Sequence, residues 1–200
     1  SKDDAFSITI DTAANTLKAR QNAVYGGTLE WKILKSLTFN SEYQLSSYRS
    51  DLDTSEPAVS GAGYRQEIKY KSGLVGLKGR LSRVDADFWT LASPAIIHDR
   101  LTYDAEAGLY PADWMSVSAG YNRYTDNLEK DPGNTTTTQT QMSVSPTLRL
   151  FNSTMLTGSM LTNTAIGKPA AVQDNKTRTL SVSVMQPVKA HTFSASMQTS

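Results

Sequence analysis

Apolar and polar residues alternate at every second position along most of the chain. The alternation is clearest from Leu101 to Tyr124, where it pauses once, at Tyr110 to Asp113. A period of two indicates a β-strand with one apolar and one polar face. Pro111 cannot donate to a ladder and Asp113 favours turns, so this stretch predicts two strands joined by a tight turn.

The same pattern predicts about eleven strands in the whole chain. The segments are 5–12, 28–33, 37–45, 64–70, 75–81, 101–109, 115–121, 142–150, 154–162, 180–184 and 193–197. For 154–162 the pattern does not decide which side chains share a face. The predicted loops are the polar stretches 13–25, 48–63, 85–100, 125–134 and 163–176.

Very short turns alternate with loops of roughly ten to sixteen residues along this series of strands. Short turns join antiparallel neighbours, so the predicted fold is all-β, an antiparallel up-and-down meander of about 10–12 strands. One end of the sheet then carries tight turns and the other long polar loops. This layout is typical of a transmembrane β-barrel, and residues 1–200 are interpreted as a single barrel domain.

Two sets of aromatic residues, one near each end of the strands, support a barrel in lipid, because such barrels carry interfacial aromatic girdles. The predicted girdle consists of Trp31, Tyr70, Tyr110, Trp114 and Phe151 near the short turns, and Tyr48, Tyr64, Tyr121 and Tyr124 near the long loops. A soluble β-sandwich or extended sheet, which also alternates apolar and polar residues, is the competing interpretation.

Charged residues fall almost entirely on the polar parity of the strands, as expected of side chains that line a water-filled lumen. The predicted lumen-lining charges are Glu30, Lys32, Glu42, Arg65, Glu67, Lys69, Lys78, Arg80, Asp104, Glu106 and Arg149. Basic residues on two consecutive strands face acidic residues on the next, which predicts a transverse field that orients polar solutes. Alternatively, these charges neutralise one another in salt bridges.

Composition narrows the classes further. Only 38% of residues are hydrophobic, mean hydropathy is −0.40 and net charge is +1, so nothing in the charge favours a nucleic-acid partner. The absence of cysteine excludes disulfides and thiol chemistry. No stretch approaches the ~18 apolar residues of a spanning helix.

Enzyme signals are weak. His98 and His191 are the only histidines, and their spacing is not that of a metal site. Acidic loop residues offer oxygen ligands for calcium but match no calcium-binding motif; they are Asp51, Asp53, Glu56, Asp85, Asp87, Asp126, Glu129 and Asp131. We therefore expect no enzymatic activity, no cofactor and no metal.

Several of these features together resemble Gram-negative outer-membrane β-barrel proteins, in particular large porin-like members. The resemblance extends over essentially the whole chain and includes a loop-and-hairpin unit formed by Arg83 to Trp89, Asp99, Tyr110-Pro111, Tyr121 and Asp126-Asn127. It implies an outer-membrane location, contact with the lipid bilayer and lipopolysaccharide, and a pore or export role. The chain ends in Met197-Gln-Thr-Ser200 without the terminal aromatic usual in such barrels, and an odd strand count is unusual, so we expect a fragment of a larger barrel.

The leading functional hypothesis is a pore or transport conduit for polar solutes. The alternatives are a surface structural or adhesive barrel whose loops meet a partner, an export duct or sheath for a partner protein, and a soluble β-sheet binding protein. Conductance in a planar bilayer separates the first from the others.

Overall fold

The computed structural model describes residues 19–52, 57–93, 95–151, 154–169, 174–188 and 191–199. These residues form one antiparallel sheet of ten strands, arranged in sequence order with each strand hydrogen-bonded to the next. The strands are β1 (Gln21–Leu34), β2 (Leu37–Arg49), β3 (Val59–Lys71), β4 (Val75–Val84), β5 (Arg100–Ala112), β6 (Met115–Asp126), β7 (Thr136–Arg149), β8 (Met155–Lys168), β9 (Asp174–Val188) and β10 (His191–Thr199). The predicted all-β antiparallel meander is confirmed. Within the described residues the sheet is open, since β1 and β10 each pair with one neighbour.

The predicted strand 5–12 lies outside the described residues. None of the described segments forms a helix long and apolar enough to span a membrane.

The strands are longer than the alternation predicts, and the predicted loops 13–25, 48–63 and 163–176 are correspondingly too long. The stretch 163–176 is largely strand, because β8 continues to Lys168 and β9 begins at Asp174. Likewise β2 continues to Arg49, β3 begins at Val59, and β1 begins at Gln21. Polar residues at the strand ends conceal the period of two, while ladder hydrogen bonds with neighbouring strands extend the pairing there.

The break at Tyr110 to Asp113 is also shorter than predicted. Strand β5 continues through Pro111 to Ala112, with a register shift between Leu109 and Ala112, and β6 begins at Met115. A bulge accommodates the proline without a ladder donor.

The sheet is a single layer, with no second sheet or helix packed on it among the described residues. Ala19 and Phe88 are the buried hydrophobic residues among them, whereas Leu29 is 56% exposed and Trp31 58%. The chain exposes 14263 Å², against the roughly 9,300 Å² expected of a compact monomer of 21.8 kDa. The sheet therefore exposes a large apolar surface, which is typical of a surface that contacts a membrane or another protein.

Register assigns each residue to one of two faces, because directly paired residues of an antiparallel sheet point to the same side. One face, called the charged face, carries Glu30, Asn40, Glu67, Arg80 and Asp104, which occupy a single register row across β1 to β5. The opposite face, called the apolar face, carries the row Trp31, Phe39, Ile68, Gly79, Ala105, Tyr121 and Met142. The same register settles 154–162, where Leu156 and Met160 belong to the apolar face.

The loop-side limit of the apolar residues runs obliquely across the apolar face. On β1 the outermost large apolar residue is Tyr25, whose row passes through Leu45 to Ala62 on β3. On β10 the outermost large apolar residue is Met197. Its register row passes through Val182 on β9 and reaches Leu109 on β5. Between β1 and β10 the limit thus moves by about ten residues towards the short turns over nine strand spacings, with Leu101 on β5 and Ile166 on β8 as exceptions that lie further towards the loops. A strand rises ~3.3 Å per residue, and neighbouring strands are ~4.8 Å apart. The strands are therefore inclined by about 38° to a line drawn in the sheet perpendicular to this limit.

Candidate functional site

The charged face holds an ionic cluster centred on Glu67 in the middle of β3. The carboxylate receives the Lys69 ammonium at 2.6 Å and the Arg80 guanidinium at 2.9 and 3.1 Å, with Arg65 at 3.9 Å. Glu67 is only 6% exposed although the sheet is a single layer, because these long side chains cover it. Three cations therefore converge on one carboxylate.

A second set of polar contacts continues the cluster across β4, β5 and β6. Lys78 pairs with Glu106 at 3.0 Å, and Arg80 approaches Asp104 at 3.9 Å. Asn122 in turn donates to Asp104. The contacts follow directly from register, because Arg80 lies opposite both Glu67 and Asp104, and Lys78 lies opposite Glu106.

All eleven predicted lumen-lining charges lie on the charged face by register. Seven of them are brought together in the two clusters above. Lys32 and Glu30 form an exposed pair 3.8 Å apart, and Glu42 accepts a hydrogen bond from Gln44. Arg149 lies at the short-turn end of β7, away from both clusters.

The charged face changes character beyond β6. On β7 to β10 most of its residues carry hydroxyls and amides, Met155, Leu161 and Met185 are apolar, and Arg149 is the one charged residue among those described. The hydroxyl and amide residues include Gln141, Ser143, Ser145, Thr157, Ser159, Asn163, Thr177, Ser181, Ser183, Ser194 and Ser196. The Ser159 and Ser181 hydroxyls are 2.6 Å apart across the ladder. One half of this face is strongly ionic and the other is neutral and hydrophilic.

The long loop between β4 and β5 folds back over the loop-side end of the charged face. Phe88 is buried to 1% exposure above Gly61 and Gly63 of β3. Trp89 stacks on Tyr48 of β2, with ring centroids 5.3 Å apart, and its other neighbour is the His98 ring at 4.7 Å. A loop that meets the sheet through buried aromatic rings is held in place by packing.

Two polar side chains of the charged face clamp the backbone of the same loop. Asn22 of β1 donates to the Trp89 carbonyl at 2.8 Å and accepts from the Leu91 amide at 3.2 Å. Ser46 of β2 accepts from the Trp89 amide at 2.9 Å. We call the segment 85–93 together with these contacts the anchored loop.

The alternation alone does not predict the anchored loop. A signal for it exists, because Gly61 and Gly63 are two residues apart and so leave a flat, side-chain-free platform on one face. His98, one of the two histidines, lies against Trp89. His191 is the first residue of β10.

The predicted aromatic girdle is only partly gathered on the apolar face. Trp31, Tyr64, Tyr70 and Tyr121 lie on it. Tyr48 and Tyr124 lie on the charged face, opposite Asn22 and Thr102. The Tyr110 ring covers Gly108 and Gly76 on the charged face as well. These three tyrosines therefore cannot belong to an aromatic girdle that contacts lipid. The bulge places Tyr110 on the charged face, and the parity of the strand ends places Tyr48 and Tyr124 there. Trp114 and Phe151 are exposed at the turns.

Three of the acidic loop residues within the described chain have structural partners that the structure shows. Asp85 pairs with Arg83 at 2.9 Å, and Asp126 accepts from the Thr137 amide and pairs with Arg100 at 3.7 Å. Asp131 caps the turn at Gly133. Asp53 and Glu56 lie outside the described residues. No group of three or more metal-ligating side chains occurs among the residues that are described.

No protein-family model, no curated protein and no solved structure matches the chain.

Proposed function

We propose that this chain is part of a β-barrel of the Gram-negative outer membrane, in which the charged face lines a water-filled conduit for polar solutes. The apolar face contacts lipid, and the long loops lie at the outer surface, near lipopolysaccharide. Solutes pass without any covalent step, so neither a cofactor nor a metal is needed.

The observation that carries the proposal is the oblique limit of the apolar residues. In a transmembrane barrel the strands are tilted by about 35–45° to the membrane normal, so a level lipid boundary must cross successive strands at shifted register positions. The inclination of about 38° derived from the register lies in this range. A soluble sheet covered by a second layer has no reason to displace its apolar limit by this amount between its first and last strands.

The charged face supports a conduit rather than a packed protein core. Buried ionic side chains are costly, whereas ion pairs and hydroxyls beside water are not. The ionic half and the neutral half are both mainly hydrophilic along the middle of the strands.

Cysteine accessibility tests the proposal, since the native chain contains no cysteine. Single cysteines are introduced at consecutive positions 116–121 of β6 in the full-length protein, reconstituted in vesicles and attached to a nitroxide. We expect Val117, Ala119 and Tyr121 to be accessible to oxygen, which concentrates in lipid, and Ser116, Ser118 and Gly120 to a water-soluble nickel chelate. Equal accessibility to both reagents at all six positions would contradict the proposal.

The anchored loop favours a second candidate, a barrel whose lumen is covered and which serves as a structural or adhesive element or a duct for a partner protein. Residues 85–93 already cover part of the charged face at its loop-side end. Planar-bilayer conductance separates the two candidates, because a covered barrel conducts only after the loop is released.

A further inference from the structure

Charged residues on the apolar face are confined to its loop-side margin. On the described strands they are Arg49, Arg83, Arg123, Lys168, Asp174, Lys176 and Arg178. Six of the seven are basic. The part of this face between the margin and the short turns carries no charge on the described strands.

Three of the arginines follow the oblique apolar limit closely. Arg83, Arg123 and Arg178 each lie two residues beyond the outermost large apolar residue of their strand, which is Leu81 on β4, Tyr121 on β6 and Leu180 on β9. When the strands are tilted so that the oblique apolar limit lies parallel to the membrane, these cations lie at one depth and form a belt along the limit.

Between β6 and β9 the belt combines cations with hydroxyls. Arg123, Thr140, Thr164 and Lys176 occupy one register row, so the two cations are separated by two threonines over about three strand spacings, or ~14 Å. Although Ile166 extends the apolar residues of β8 beyond this row, Arg178 lies next to the row and its guanidinium reaches the sulfur of Met160, which pairs with Leu180, at 3.2 Å. These cations therefore lie directly at the edge of the apolar band.

The belt residues differ in their charge partners. Arg83 is paired with Asp85. Arg123, Lys176 and Arg178 are exposed and have no carboxylate within salt-bridge distance among the described residues. Asp174, at the loop-side end of β9, is the acidic residue on this face and lies on the far side of Lys176 from the apolar band.

We propose that Arg123, Thr140, Thr164, Lys176 and Arg178 form a binding site for the phosphate groups of a lipid headgroup. The inference rests on the proposed function, which places the apolar band in the bilayer. A phosphate there is attached to lipid rather than free, because the site borders the band and the lipid chains add apolar contact with Met160 and Leu180. Arginine and threonine side chains supply the charge-assisted and neutral hydrogen bonds that phosphate oxygens accept. In the outer leaflet the ligand is the phosphorylated lipid A part of lipopolysaccharide.

Native mass spectrometry of the detergent-solubilised full-length protein tests the site, with bisphosphorylated lipid A and chemically dephosphorylated lipid A as competing probes. We expect preferential retention of the phosphorylated form. The combined variant Arg123→Gln, Lys176→Gln and Arg178→Gln should weaken its binding on the order of a hundredfold, since each interfacial cation contributes about 1 kcal/mol. The matched control removes three cations from the charged face, by Lys32→Gln, Lys71→Gln and Arg149→Gln, and should retain the preference.

Equal retention of the two lipids by the unmodified protein would overturn the site, even if the triple variant failed to fold. Competition by free inorganic phosphate at low millimolar concentration would contradict a lipid ligand and indicate a free-anion site. The lipid site can fail without the proposed conduit, but the conduit cannot fail without the lipid site. Accessibility of β6 to oxygen and nickel chelate together with equal lipid retention would remove the lipid site alone, whereas loss of the accessibility pattern would remove the conduit and the site.

Discussion

The Phe88 ring covers Gly63, and its carbons lie 3.6–3.7 Å from the position that a Cβ of Gly63 would occupy. Two register rows further towards the loops, a Cβ on Gly61 would stand 2.2 Å from the Phe88 nitrogen. The loop backbone therefore occupies space that only glycine leaves open. This contact fixes the anchored loop to the charged face and distinguishes it from a loop that extends into solvent.

Replacing Gly61 by alanine should release the anchored loop, because the new methyl group overlaps the backbone of Asp87 and Phe88. Amide hydrogen exchange measured by mass spectrometry should show faster exchange for residues 86–93. Gly63→Ala makes only ordinary contacts with the Phe88 ring and should have a smaller effect. Gly27→Ala, which meets nothing within 4 Å, is the control. Unchanged exchange in Gly61→Ala would show that the loop is not held there.

Truncating Phe88 to alanine should raise single-channel conductance in planar bilayers if the anchored loop narrows the conduit. Loss of a fully buried phenylalanine typically costs about 3–5 kcal/mol, which is enough to unseat a loop held by a few other contacts. Leu91→Ala truncates a 44% exposed residue of the same loop and serves as the control. Equal conductance of the native protein and Phe88→Ala would show that the loop does not restrict passage.

Glu67→Gln should destabilise the sheet, because it removes the one carboxylate shared by Lys69 and Arg80. Both cations are partly exposed, so we expect a loss of about 1–2 kcal/mol rather than the larger cost of a fully buried pair. Glu30→Gln makes the same chemical change at an exposed position whose partner, Lys32, is 3.8 Å away, and should change stability by less than about 0.5 kcal/mol. Urea denaturation in detergent, followed by tryptophan fluorescence, compares them; equal midpoints would contradict a central role for Glu67.

Neutralising the basic residues of β3 and β4 should shift ion selectivity towards cations. The variant combines Arg65→Gln, Lys69→Gln, Lys78→Gln and Arg80→Gln, which leaves Glu67, Asp104 and Glu106 uncompensated on the charged face. Reversal potentials under a potassium chloride gradient measure the change. Salt bridges already neutralise much of this charge, so unchanged selectivity would mean that the clusters stabilise the wall without steering ions.

A lysine on β6 should be tolerated on one face and costly on the other. Ala119→Lys places an ammonium group in the middle of the apolar band, where a barrel in lipid loses about 2–4 kcal/mol. Ser118→Lys, one residue earlier, points to the charged face and should cost less than about 1 kcal/mol. Unfolding of both variants in lipid vesicles tests this difference, and equal stability would contradict lipid contact at Ala119.

The alternating pattern was sufficient to predict the strands where one face is strongly apolar, as from Leu101 to Leu109. It was insufficient at strand ends such as Asn163 to Lys168, where polar residues occupy both parities and pairing with β7 extends the strand. It placed every predicted lumen charge on one face but misassigned Tyr48, Tyr110 and Tyr124. At Tyr110 a bulge changes the parity, and aromatic content by itself carries no information about the face.

By itself the sequence determined that this chain forms antiparallel strands with one charged and one apolar face, because side chains alternate in direction along any strand regardless of its partners. Only the tertiary structure decided the register. Register brings Arg80 between Glu67 and Asp104, inclines the apolar limit across the sheet, and sets Gly61 and Gly63 beneath Phe88. These relationships join residues on different strands and loops, and their relative heights depend on hydrogen bonding between strands, which a local pattern does not specify.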